Sequence, residues 1–110
     1  MGDALTLKVR KAVFAILQDD KNQVLLVANR RSQGGYRWSF PGGLVDEGET
    51  SLEALTREVK EETSIHVTEW DRLAYTTLVQ FRNGNRDLDL NVEIRLAKEW
   101  QGTFDCSNDP

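Results

Sequence analysis

The chain has 110 residues, 39% hydrophobic and 29% charged, enough for one domain over 1–110 and too few for two, since each would need its own core. A formal net charge of -4 and a pI of about 5.0 repel a phosphate backbone, so nucleic acid is not an expected partner and a small anionic substrate needs a local cation. The one cysteine, Cys106, excludes an internal disulfide, and no apolar run approaches the roughly 20 residues of a membrane span, so a cytoplasmic protein with no membrane partner is expected.

Met1-Gly2 through Thr6 matches the loose pattern for N-terminal acylation, but no basic patch stands nearby to supply a second membrane signal. Leu5, Leu7 and Val9 alternate with polar residues, which predicts a half-buried strand, and Ala12 to Leu17 is continuously apolar, as in a strand buried on both faces. Asp19-Asp20-Lys21-Asn22 is a polar turn, and Val24 to Ala28 reads as the partner strand of a hairpin closed by Arg30 and Arg31. Ser32 to Gly35 is a loop, Tyr36 to Phe40 a short strand, and Pro41-Gly42-Gly43 a break.

Thr50 with Glu53 three places on forms a capping box, and Leu52, Leu55 and Val59 follow at helical spacing. Leu73 to Phe81 and Leu88 to Leu96 are strand-like, with Asn83-Gly84-Asn85 as the hairpin turn between them. One helix and about five strands predict an α/β (α+β) domain with a sheet packed against the helix.

At about 100° per residue, Glu58, Glu61 and Glu62 crowd one arc of that helix beside the apolar stripe. Like charges at these spacings repel by a few tenths of a kcal/mol per pair, and a hard dication removes the repulsion. Carboxylate oxygens suit magnesium or manganese and do not suit zinc. The competing reading is a solvated acidic face, since Arg57 and Lys60 are interleaved. Pro41-Gly42-Gly43 and Glu49 at the helix entrance favour the metal, because they lie where carbonyls and a further carboxylate can face the same ion.

The run Gly43-Leu-Val-Asp-Glu-Gly-Glu49, then seven residues, then Arg57-Glu58-Val59-Lys60-Glu61-Glu62-Thr63-Ser64-Ile65 resembles the Nudix box, GX5EX7REUXEEXGU, where U is aliphatic. The flanking strands are also similar to a Nudix domain over most of the chain. Ser64 departs from the pattern, standing where the family has glycine. In a left-handed helix end that costs roughly 1 kcal/mol, so Ser64 is expected to weaken helix termination and leave catalysis alone.

The resemblance implies a Mg2+-dependent enzyme (Mn2+ being the alternative) that cleaves the pyrophosphate of a nucleoside diphosphate linked to another group. By matching position, Glu58, Glu61 and Glu62 are the implied metal carboxylates, with the Gly42 carbonyl as an extra ligand and Glu49 reaching the metal through water. Glu58 is the first choice for general base and Glu61 the second. Arg57, counted with them as catalytic, is implied to brace the loop through Glu49; the alternative is an ordinary salt bridge.

Arg31 and then Arg30 are the cations suited to a substrate phosphate, against the alternative of a solvated strand end. Trp38 and Tyr36 can stack on a base, although an aromatic so close to Pro41 is more commonly core; Tyr75 and Phe81 carry the same ambiguity. His66 has no evident partner, and Cys106 no neighbouring base to make it reactive.

Related domains cover the second sheet face with a late helix, and no helical pattern follows Trp100. A missing C-terminal helix, an oily face and a homodimer that covers it are therefore expected, unless the chain is a truncated product. Asp105 or Asp109 is a further candidate for a late acidic ligand. Gln80, Phe81 and Arg82 stand where relatives with other specificities carry proline or tyrosine, which leaves a nucleoside triphosphate, including an oxidised one, as the favoured substrate. The rival classes are a nucleotide sensor of the same fold that does not cleave, and a metal-binding structural module.

Overall fold

In the computed structural model, which describes residues 6–30, 32–84 and 86–103, the central strand is β1 (Thr6–Ile16). Its apolar half serves two cores. Val13, Ala15 and Leu17 are buried on one side with Ala54, Leu55, Val59, Ile65 and Val67, while Ala12 is buried on the other with Val92 and Ile94. Such a strand must be apolar at every position, as expected for Ala12 to Leu17. Leu7 and Val9 correct the expectation of a half-buried start, being 54% and 60% exposed. The core that joins β1 to the helix begins only at Val13.

The hairpin after β1 is real but short. Asp19 accepts hydrogen bonds from the Lys21 and Gln23 backbones, and Gln18 bridges Val24. The returning chain then leaves β1 and forms β2 (Val27–Arg30) instead of a strand over Val24 to Ala28. It pairs with β3 (Tyr36–Ser39) in a separate two-stranded ribbon. Both edges of β1 are already taken, by β4 (Gly42–Leu44) and by β6 (Arg86–Gln101). Strand β4 also corrects the sequence reading, which put a break at Pro41-Gly42-Gly43. Glycine there permits close approach: a Cβ on Gly42 would collide with the Val13 carbonyl oxygen and lie 2.7 Å from Phe14 Cα.

Helix α1 (Ser51–Thr63) starts as expected, with Thr50 as cap and both halves of the capping box formed at 2.8 and 3.1 Å. Ala54, Leu55 and Val59 are its buried residues, and a fully buried Leu or Val side chain contributes roughly 1.5–3 kcal/mol. Leu52, expected in that stripe, is 41% exposed.

The last hairpin, β5 (His66–Asn83) and β6, is longer than its apolar runs predict. Main-chain pairing continues through polar stretches because it depends on the backbone, and register shifts between Val67 and Tyr75 absorb the irregularity. Asn83 pairs with Arg86 across the turn; Asn85 lies outside the described residues.

The main sheet runs β4-β1-β6-β5, with β1 and β6 parallel and the other pairs antiparallel. The domain is therefore a mixed α+β fold of one helix and six strands among the described residues. Ala12, Phe14, Leu44, Leu90, Val79 and Phe81 share the sheet face opposite α1 by register. Tyr75, Val79 and Phe81 are exposed there, so Tyr75 and Phe81 are not core. No helix among the described residues is long and apolar enough to cross a membrane.

Candidate functional site

The acidic face of α1 meets the sheet at the edge strand β4. In that ladder Ala15 N–H bonds the Pro41 carbonyl and Val45 N–H the Lys11 carbonyl. Gly42, between them, turns its N–H outward to donate to Glu62 Oε1 at 2.7 Å. By the alternation of an antiparallel ladder, the Gly42 carbonyl faces the same open edge. Gly43 lies against Glu58: a Cβ there would stand 2.7 Å from the Glu58 carboxyl carbon. The two glycines thus let the sheet edge and two helix carboxylates share one corner.

Arg57 organises the other side. Its Nε donates to Glu49 Oε2 at 2.7 Å and its Nη2 to Glu49 Oε1 at 2.9 Å, a two-point contact. Its Nη1 donates to Glu58 Oε1 at 2.9 Å and Glu61 Oε1 at 3.0 Å. Asp46 Oδ2 lies 3.3 Å from Nη2, and the Asp46 N–H donates to Glu49 Oε1 at 3.0 Å. The Glu49 carboxyl is held down at about 2, first by the Arg57 hydrogen bonds and then by the Asp46 N–H. Arg57 is itself held further into its charged form, chiefly by Glu49. Both Glu49 oxygens accept hydrogen bonds within the protein, Oε2 from Arg57 and Oε1 from Arg57 and the Asp46 N–H.

Glu62 behaves in the opposite way. Packing around its carboxyl raises it first, the Gly42 N–H works against that, and repulsion from Glu58 and Glu61 raises it further. The three carboxylates therefore sense one another. Their hard oxygen donors, with the Gly42 carbonyl at the same edge, fit a magnesium-class dication. Yet among the described residues no three acidic side chains close into a ready cage. Glu58 and Glu61 are turned to Arg57, and Glu62 to Gly42.

The structure brings Gly42, Glu49, Arg57, Glu58, Glu61 and Glu62 together as the sequence indicated. Arg57 touches Glu49, Glu58 and Glu61 at once. Arg30 is exposed at the end of β2, opposite Tyr36, and Trp38 is 60% exposed opposite Ala28. Trp38 is thus not core, because its ribbon pairs within itself. Arg31, Cys106, Asp105 and Asp109 lie outside the described residues. Sequence reasoning missed Asp46, whose signal is the turn Asp46-Glu47-Gly48-Glu49, closed by Glu49 N–H to the Asp46 carbonyl with Gly48 at φ 88°. It also missed an open groove of about 680 Å³ lined by Arg10, Lys11, Asp46 and Glu49 among others, which meets the acidic corner through Asp46 and Glu49.

Comparison with known proteins adds four findings. A family model described as the NUDIX domain matches residues 8–109. An 8-oxo-dGTP diphosphatase from Proteus vulgaris is 33% identical over 84 residues, covering 74% of this chain and 70% of that protein. A Homo sapiens 8-oxo-dGDP phosphatase is 39% identical over 54 residues, covering 49% of this chain and only 17% of that larger protein. The crystal structure of a mutator MutT protein from Bacillus halodurans superposes with a TM-score of 0.68 at 27% identity, covering 86% of this chain and 60% of that one.

Proposed function

The chain belongs to the Nudix family, and on that premise we propose that it is a magnesium-dependent pyrophosphohydrolase, with manganese as the alternative ion. It acts on a nucleoside diphosphate linked to another group, and a nucleoside triphosphate with an oxidised base is the favoured substrate. The observation that carries this reading is the shared corner, where Glu62 grips the Gly42 N–H and Glu58 packs on Gly43 while Arg57 ties both Glu58 and Glu61 to the Glu49 loop. The names of relatives that act on 8-oxo-dGTP and 8-oxo-dGDP support the substrate class.

Glu58, Glu61 and Glu62 with the Gly42 carbonyl would hold the ion. When bound, it supplies charge neutralisation at a crowded anionic centre. The chain's own residues do the rest. A water oxygen attacks one phosphorus, the bridging P–O bond breaks, and the water proton passes to the Glu58 carboxylate or, in second place, to Glu61. Glu58 suits this role because its side chain is only 20% exposed and packs against Gly43, where a Cβ would stand 2.7 Å from its carboxyl carbon. Arg30 and Arg31 are assigned to the substrate phosphates, and the exposed Trp38 to the base, on which its ring can stack. A cytoplasmic location and a homodimer through the exposed apolar sheet face belong to the same reading.

The test is incubation with a panel of nucleotide diphosphate derivatives, with and without magnesium, assaying phosphate and pyrophosphate. Metal-dependent turnover lost in Glu62→Gln is the expected result. Tight nucleotide binding without turnover would replace the hydrolase by a sensor of the same fold.

A further inference from the structure

We propose that Arg57 is the internal counter-ion of the acidic corner: its Nη1 occupies the Glu58 and Glu61 oxygens that a dication takes, and ion binding displaces that one nitrogen while the rest of the guanidinium stays in place. The inference rests on the metal-dependent reading above and concerns how the chain receives the ion.

Geometry carries it. A guanidinium is a rigid planar fork, and this one divides its work between two edges. The Nε and Nη2 edge is anchored at 2.7 and 2.9 Å on both oxygens of Glu49, which precedes the helix. Arg57 therefore keeps its place whether or not Nη1 has partners. Nη1 is shared between Glu58 Oε1 at 2.9 Å and Glu61 Oε1 at 3.0 Å, two residues on the helix itself. Glu61 is 58% exposed, so water can take over its bond at small cost. The same sharing accounts for the lack of a ready acidic cage among the described residues, since two of the three carboxylates face a cation the chain already owns.

Two consequences have opposite signs. With the charge of Arg57 removed, Glu58, Glu61 and Glu62 repel one another unopposed, and the ion-free fold loses stability. The same carboxylates then face no competitor, and a divalent ion binds more tightly. A residue that served only as a brace would lose on both counts.

The experiment titrates the whole chain with Mn2+ by calorimetry and measures the melting temperature without metal, for wild type, Arg57→Gln and Arg57→Lys. Arg57→Gln is expected to melt lower yet bind Mn2+ about fivefold more tightly. Arg57→Lys keeps the competing charge and should bind close to wild type. Unchanged or weaker binding by Arg57→Gln overturns the proposal, while wild type that binds no Mn2+ overturns the metal reading itself. A second measurement needs no variant: in 15N spectra of the arginine side chains, saturating Mg2+ should shift the Arg57 Nη signal and leave Nε unmoved. A stationary Nη at saturation would refute displacement.

Discussion

The pair Arg57 and Glu49 gives the domain one pH-dependent contribution to its stability in acid. Glu49 falls from 4.5 to about 2 because the Arg57 hydrogen bonds and the Asp46 N–H favour its charged form. A carboxyl lowered on folding stabilises the native state above about pH 4.5, and that contribution is lost as the pH drops toward about 2. Glu62, raised on folding, has the opposite sign: its contribution is present in acid and lost as the pH rises through its folded value. Melting temperatures followed from neutral pH down to about 2 should therefore show an acid limb that is shallower in Glu49→Gln than in wild type. An equally steep limb in the variant would remove Glu49 from this role. The box spacing made both residues legible in the sequence. What Arg57 touches was only half legible, because a side chain with five donors has several partners within reach of its helix.

At the scale of elements, α1 is the best-specified part of the chain and Ser64 its weak point. Ser64 is the C-cap at φ 65°, with its N–H on the Lys60 carbonyl at 2.9 Å. A residue with a Cβ pays roughly 1 kcal/mol there that glycine avoids. Ser64→Gly should therefore raise the melting temperature by about 4 to 8 °C, the shift such an energy gives in a small domain. Turnover should stay as in wild type, since among the described residues no hydrogen bond joins Ser64 to Glu58, Glu61 or Glu62. A lower melting temperature would show that the serine is not strained. Strand boundaries were less legible. The polar ends of β5 and β6 are held by ladder bonds that carry no side-chain pattern, and β2 shifted because its expected partner had no free edge.

For the whole molecule, the sheet face opposite α1 matters most. By register Tyr75, Val79, Phe81 and Leu44 lie on it, and all four side chains are exposed. Ala12, Val92 and Ile94 are already buried beneath them, and exposed apolar side chains grouped in this way suit contact with a second copy of the chain. Size-exclusion chromatography with light scattering should give a dimer, and Val79→Lys, placing a charge within the patch, should give a monomer. A monodisperse wild-type monomer would end the homodimer proposal.

The sequence by itself determined the mixed fold class, the capping box of the helix, and the spacing of its acidic residues, because helical periodicity and a fixed box spacing are local properties. Only the tertiary structure decided what those residues face. That Gly42 donates to Glu62, that Gly43 clears room for Glu58, and that Trp38 stands in solvent all depend on which strand edges were free to pair. Edge occupancy is a property of the assembled sheet, and no single stretch of chain encodes it.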